Sequence, residues 1–356
     1  MKKLTFVATA VLGLLSTSAM AQSSVTLYGI VDAAVVHTTN QVGGSKIAVD
    51  AGQMATSRWG MKGSEDLGGG LKANFTLEGT LFNDTGAAGN LFDRQATVGL
   101  SGGFGSVNLG RQNILGVDSI GLADPISLAH AGTNPNVAFS ALNNAASVGD
   151  LYGSFGTNGG GSALRQNNSI KYLTPTMSGF GGALMYGFGE QAGNSSASSY
   201  AGISGFYTAG KSGGAALAYA KLKNQADNST LTLWGGGAKY SVNDALELRV
   251  TYAQNEVDTT NRKIAVTGLG VNYAVSPALT LTGAYYNTKR SGDVSGKADQ
   301  YVAMGKYALS KRTIAYASLT HAKAGSAAAQ DASLGLIISA GNSTATRTAV
   351  GVMHSF

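Results

Sequence analysis

The chain has 356 residues, with 25 lysines and arginines against 19 aspartates and glutamates, four histidines, no cysteine and a formal charge of +6. With no Lys/Arg-rich run, that balance excludes a nucleic-acid partner, and the missing cysteines exclude disulfides, thiol nucleophiles and zinc–thiolate sites together. Glycine stands at 51 residues and proline at only four, a composition of strands and turns rather than of disorder.

Met1-Lys2-Lys3 is followed by an apolar stretch from Leu4 to Ser16 and then by Ala19-Met20-Ala21. A basic head, a short apolar segment and a small-residue cleavage pattern predict an export signal over residues 1–21. The segment is shorter than the ~20 residues that a membrane-spanning helix needs. Its removal leaves a mature domain of residues 22–356, which is 335 residues (356 − 21), and lowers the charge to +4 with the loss of Lys2 and Lys3.

From there the chain alternates. Val25, Leu27, Val31 and Val35 oppose Thr26, Tyr28 and Asp32; Leu71, Ala73, Phe75 and Leu77 oppose Lys72, Asn74, Thr76 and Glu78. Farther on, Leu246, Leu248, Val250 and Tyr252 oppose Glu247, Arg249, Thr251 and Ala253. A period of two makes strands with one apolar and one polar face, and here charges fall in mid-strand on the polar face. Sixteen strands are expected, starting near Val25, Met54, Leu71, Leu91, Gly105, Leu164, Gly179, Ser199, Gly214, Thr230, Ala245, Lys263, Ala278, Ala298, Arg312 and Thr344. Short connections such as Ser101-Gly102-Gly103 and Ser276-Pro277 alternate with longer polar ones: Thr38 to Ala51, Asn83 to Asn90, Gln191 to Ser199, Asn287 to Gly296 and Lys323 to Ser343. Short turns at one rim and long loops at the other are the pattern of an all-β transmembrane barrel, whose sixteen strands leave a water-filled lumen.

Residues 112–163 break the pattern, with no sustained alternation. A loop of that length in a barrel has a natural place folded inward, where it narrows the pore. Its charges are Asp118, Asp124 and Asp150, with no lysine or arginine between Arg111 and Arg165. Opposite signs flank it. Arg58 lies on the parity opposite Trp59 and Met61, Arg94 opens a strand, and Arg165 shares the parity of Asn167, Ser169 and Lys171. An acidic loop carrying Asp118 and Asp124, facing a wall of Arg58, Arg94 and Arg165, sets up a transverse field that steers ions by charge.

The last strand alternates Val350, Val352, His354 and Phe356 with Ala349, Gly351 and Ser355. Catalysis finds no constellation. His37, His130, His321 and His354 sit at loop ends, in the long loop or on the apolar parity, and no Gly-x-Ser-x-Gly elbow is present. No short fixed repeat supports an adhesin-type solenoid, and Gly159-Gly160-Gly161 lacks the lysine of a phosphate loop.

Several stretches together resemble the general porins of Gram-negative bacteria, of the beta-proteobacterial type. They are Ser24 to Gly29, Ser57 to Gly68, Arg94 to Leu100, Gly105 to Gln112, Asn168 to Tyr172 and Gly351 to Phe356. The resemblance implies a homotrimer of sixteen-stranded barrels in the outer membrane, a third loop folded into the pore and an arginine cluster at Arg58, Arg94 and Arg165. It also implies that Phe356 closes the signal read by the barrel-assembly machinery. Two departures stand out: Ile30 occupies a site where the family often has lysine, and Asn113 to Leu128 replaces an enterobacterial Pro-Glu-Phe-Gly-Gly type constriction. The expectation is a cofactor-free diffusion channel, surrounded by lipid, that passes small ions and solutes with mild anion preference.

Overall fold

The computed structural model describes residues 24–129, 134–136, 164–292 and 294–356. The expected signal at 1–21, most of the loop at 112–163, His130 and Asp150 therefore lie outside the described residues. Eighteen strand segments form one antiparallel sheet. The first half comprises β1 (Ser24–Gln41), β2 (Gly44–Ala51), β3 (Arg58–Gly68), β4 (Leu71–Phe82), β5 (Ala87–Ala88), β6 (Gln95–Gly102), β7 (Gly105–Asn113), β8 (Arg165–Leu173) and β9 (Phe180–Gly187). The second half comprises β10 (Tyr200–Thr208), β11 (Gly213–Lys223), β12 (Thr230–Ser241), β13 (Leu246–Val257), β14 (Arg262–Ala274), β15 (Leu279–Ser291), β16 (Gly296–Ala308), β17 (Thr313–Ala324) and β18 (Thr344–Ser355).

Pairing of β1 with β18 closes the ring, so no sheet edge is left open. The wall has sixteen strands. β2 and β3 are two pieces of one strand, pairing with the upper and lower halves of β1, and β5 is a two-residue hook on β4. Fifteen of the expected strand starts agree with the structure to within about four residues, the uncertainty of such boundaries. The second does not. Its wall strand starts at Gly44 rather than near Met54, because β1 and β2 meet through a tight turn at Val42 and Gly43, so the expected loop from Thr38 to Ala51 is strand on both sides. Likewise β15 runs to Ser291, which leaves only 292–295 of the loop expected from Asn287.

The alternation sorts side chains as the pattern requires. Leu217, Leu248, Val250, Leu269, Leu281, Val350 and Val352 are exposed on the outer face, while Thr251, Asn255, Thr282, Thr288, Gln300 and Thr320 are buried on the inner one. A soluble protein would not present such an apolar skin to water; a lipid-facing barrel does. Residues 52–57 interrupt the wall between β2 and β3 around the fully buried Asp32. Its carboxylate accepts from the backbone N–H groups of Met54 (2.6 Å) and Ala55 (2.8 Å) and from the Tyr316 hydroxyl (2.5 Å). Ser57 completes the node, accepting from the Asp32 backbone N–H at 2.9 Å. The strand resumes at Arg58.

Candidate functional site

Arg58 of β3, Arg94 just before β6 and Arg165 of β8 meet at one cavity of about 240 Å³, which Asn113, Val117 and Ser127 also line. Each is placed by local chemistry. The Arg58 Nε donates to the Thr56 carbonyl at 2.9 Å, which ties the guanidinium to the break in the wall. The backbone N–H of Arg94 bonds the Glu78 carbonyl at 3.1 Å, and Asp93 beside it accepts from both the N–H and the hydroxyl of Thr80 at 2.7 Å. Simple parity does not deliver Arg165. The β7–β8 register shifts where Gln166 and Ser169 oppose Gln112 and Gly110, with Asn168 at φ 50°. Such a bulge re-aims the end of a strand, and Arg165 is left only 6 % exposed.

A carboxylate that sequence reasoning did not assign to the site sits under this cluster. Glu78 of β4 accepts from the Arg94 Nε at 2.6 Å and from the Tyr28 hydroxyl at 3.0 Å, with an Arg58 nitrogen 3.8 Å away. Glu78 stood out as a mid-strand charge, but only the pairing of β4 with β3 and β6 places it between two arginines. The Nε of Arg165 is buried with no hydrogen-bond partner among the described residues. Glu78 is thus shared by Arg58 and Arg94, while Arg165 lines the same cavity beside them.

The two loop aspartates part company. Asp118, in the short helix Leu115–Gly121, keeps 46 % of its side chain exposed and pairs with the Lys171 ammonium at 2.9 Å. Asp124 is fully buried. It accepts from five donors: the N–H groups of Ile126 (3.2 Å) and Leu128 (2.9 Å), the amides of Asn134 (2.7 Å) and Asn136 (2.7 Å), and the Tyr286 hydroxyl (3.1 Å). Burial pushes its pKa up, and the bonds from Asn136, Leu128, Asn134 and Tyr286 oppose that rise. With every neighbour donating, the ionised form is the one the site accommodates.

Around this node the segment is fastened to β10–β15. The helix packs against β10, β11 and β12. The Leu115 N–H reaches the Tyr200 hydroxyl at 3.3 Å, Asn136 donates to Thr251 at 2.8 Å, and Arg249 donates to the Asp124 carbonyl at 2.8 Å. Two strand glycines make room. A Cβ on Gly237 would lie 2.9 Å from that of Ala123, and one on Gly270 would lie 2.3 Å from that of Pro125. Phe356, at the other end of the chain, exchanges backbone hydrogen bonds with Gly29 of β1 at 3.1 and 3.2 Å.

A closed sixteen-stranded barrel with an apolar outside, a polar inside and charges gathered at one level defines a membrane channel scaffold. The family model described as Gram-negative porin matches residues 8–327. The chain belongs to that family and is an outer-membrane β-barrel protein. Over 173 residues it is 40 % identical to outer membrane porin protein 32 of Delftia acidovorans, covering 48 % of this chain and 46 % of that protein. An outer membrane porin of Bordetella pertussis is 33 % identical over 198 residues, 51 % of this chain and 46 % of the relative. The chain thus spans about half the length of the curated relatives it matches. Among solved structures, an anion-selective porin from Comamonas acidovorans superposes with a TM-score of 0.78 at 30 % identity, over 94 % of this chain and 100 % of that one. OmpF of Salmonella typhi, at TM-score 0.65 and 18 % identity, shares the fold.

Proposed function

We propose that the chain forms a water-filled channel through which small hydrophilic solutes and ions diffuse down their gradients, with a mild preference for anions and no cofactor. The observation that carries this reading is the meeting of Arg58, Arg94 and Arg165 at one cavity, with Glu78 shared by the first two. Charges in a narrow, low-dielectric passage act far more strongly on an ion than the same charges in open water. The segment 112–163 folds inward and narrows the lumen; support comes from the bonds of its described residues to Thr251 and Tyr286 on strands facing the arginines. Asp118 is then the loop carboxylate that meets passing ions, and Asp124 the anchor that holds the loop. Family membership supports a homotrimer, export with removal of residues 1–21, and recognition of the strand ending in Phe356 by the barrel-assembly machinery.

The test is the reversal potential of refolded protein in a planar bilayer under a salt gradient. An anion-directed potential is expected, with conductance steps in groups of three. Replacing Arg58, Arg94 and Arg165 together by alanine should carry the potential to zero or past it. An unchanged potential in that variant would remove the arginines from the mechanism, and a folded barrel without conductance would remove the channel.

A further inference from the structure

On the outer wall, β13–β16 form horizontal rows of outward residues that change character toward the rim of the long connections. One row reads Leu248, Val271, Gly283 and Ala303; the next reads Val250, Leu269, Tyr285 and Tyr301. Above them lies Tyr252, Thr267, Asn287 and Asp299, and above that Gln254, Ala265, Lys289 and Lys297. Apolar gives way to tyrosine, then to a mostly polar row whose one carboxylate, Asp299, is held by Tyr285 and Asn287, then to lysine, which is the order of polarity from hydrocarbon through interface to headgroup. Lys289 stands four residues beyond Tyr285, about 13 Å along the strand.

Lys289 and Lys297 are directly cross-strand neighbours. Both are exposed, and neither ammonium has a partner among the described residues. Like charges opposite one another on a sheet repel and cost stability unless something of opposite sign bridges them. Among the described residues, each carboxylate nearby is already held by other donors. Asp299 accepts from Tyr285 (2.6 Å) and Asn287 (2.7 Å), Glu256 pairs with Lys263 (3.1 Å), and Asp331 accepts from the Lys297 N–H (3.1 Å) and Ser326 (2.7 Å). The three lysines line a groove of about 540 Å³ together with Tyr252, Gln254, Arg290 and the carboxylate of Asp331. A free anion in solution needs no tyrosine row beneath it; an anion carried on acyl chains does.

We propose that this groove binds the phosphorylated headgroup of an outer-leaflet lipid, with Lys289 and Lys297 bridging one phosphate and Lys263 beside them, while the acyl chains run down over the Tyr285 and Tyr301 row. The site is on the lipid side of the wall and is independent of what crosses the lumen, so single-channel conductance separates a failure here from a failure of the channel reading.

The experiment uses full-length refolded protein in phosphatidylcholine vesicles doped with a bisphosphorylated glucosamine lipid, with the same lipid stripped of its phosphates, or with inorganic phosphate added. Lipid retained through purification is counted, and thermal unfolding is followed by heat-modifiable mobility. The wild type should retain the phosphorylated lipid selectively. Lys289→Ala with Lys297→Ala should reduce that retention about tenfold or more, with conductance unchanged. Lys311→Ala, at the opposite rim, should behave as wild type. Lys297→Glu supplies a second handle: it pairs with Lys289, so the barrel should unfold at higher temperature without the lipid and gain nothing from adding it. Equal retention by the double alanine variant, equal retention of the dephosphorylated lipid, or saturation by inorganic phosphate alone would each overturn the proposal.

Discussion

The lumen has two unlike walls. The one built from β3, the approach to β6 and β8 presents charge: Arg58, Arg94 and Arg165 around Glu78. The one built from β11 to β15 gives up side chains instead, with Gly237 and Gly270 where Ala123 and Pro125 come close, and fastens the segment through Thr251, Tyr286 and Arg249. On the proposed reading, selectivity and anchoring are divided between these two sides. Substitutions on one wall should move the reversal potential with the loop in place, and substitutions on the other should move the loop.

Asp124→Ala should produce the largest effect. It removes the acceptor of five donors, and each buried donor left unmade costs about 1–3 kcal/mol. We expect a segment open to protease between residues 114 and 164 and noisy single-channel current, in a barrel that still shows heat-modifiable mobility. Asp124→Asn should fall between, because its amide nitrogen faces other donors. A quiet current and full protease resistance in the alanine variant would mean that the anchoring lies elsewhere.

Gly270→Ala comes next. The added methyl would sit 2.3 Å from the Pro125 Cβ, so the loop backbone must shift, at a cost of about 1–3 kcal/mol for overpacking. Conductance should change while reversal potential moves little. Gly283→Ala is the matched control, since its nearest neighbour would lie at an ordinary 3.5 Å. Equal conductance in the two variants would show that Pro125 yields without consequence.

This asymmetry also explains what the sequence could and could not reveal. Strand number and face followed from period-two alternation, because a barrel wall imposes that period on every strand it uses. The arginines were legible as charges interrupting polar faces. Arg165 was assigned its direction from a parity that the bulge at Gln166–Ser169 breaks, since one extra residue is invisible to a period count. Asp32 read as one more polar residue of the first strand, yet it holds the break that delivers Arg58, and its partners Met54, Ala55 and Tyr316 are near it only in three dimensions. Gly237 and Gly270 vanished into a composition already rich in glycine. Asp118 and Asp124 looked alike as loop acids, and burial separates them completely.

Two smaller predictions ask which side controls charge. Glu78→Gln removes the carboxylate shared by Arg58 and Arg94 but keeps an oxygen for the Tyr28 hydroxyl. The reversal potential should move further toward anions. Asp118→Asn also deletes one negative charge, but from a side chain that is half exposed while its partner Lys171, at 2.9 Å, is buried. Because the Lys171 ammonium is buried and loses its counter-charge, stability should fall by about 1–3 kcal/mol, less where the asparagine oxygen still accepts from it. Because solvent screens Asp118 more than the nearly enclosed Glu78, the anion shift it causes should be the smaller of the two, and raising ionic strength should erase it first. Measuring both variants at low and high salt makes the comparison sharp. If Asp118→Asn shifts the potential as far as Glu78→Gln at both salts, the loop and the wall share control. If only Glu78→Gln survives high salt, the field belongs to the arginine wall, and the loop sets the width of the passage rather than its sign.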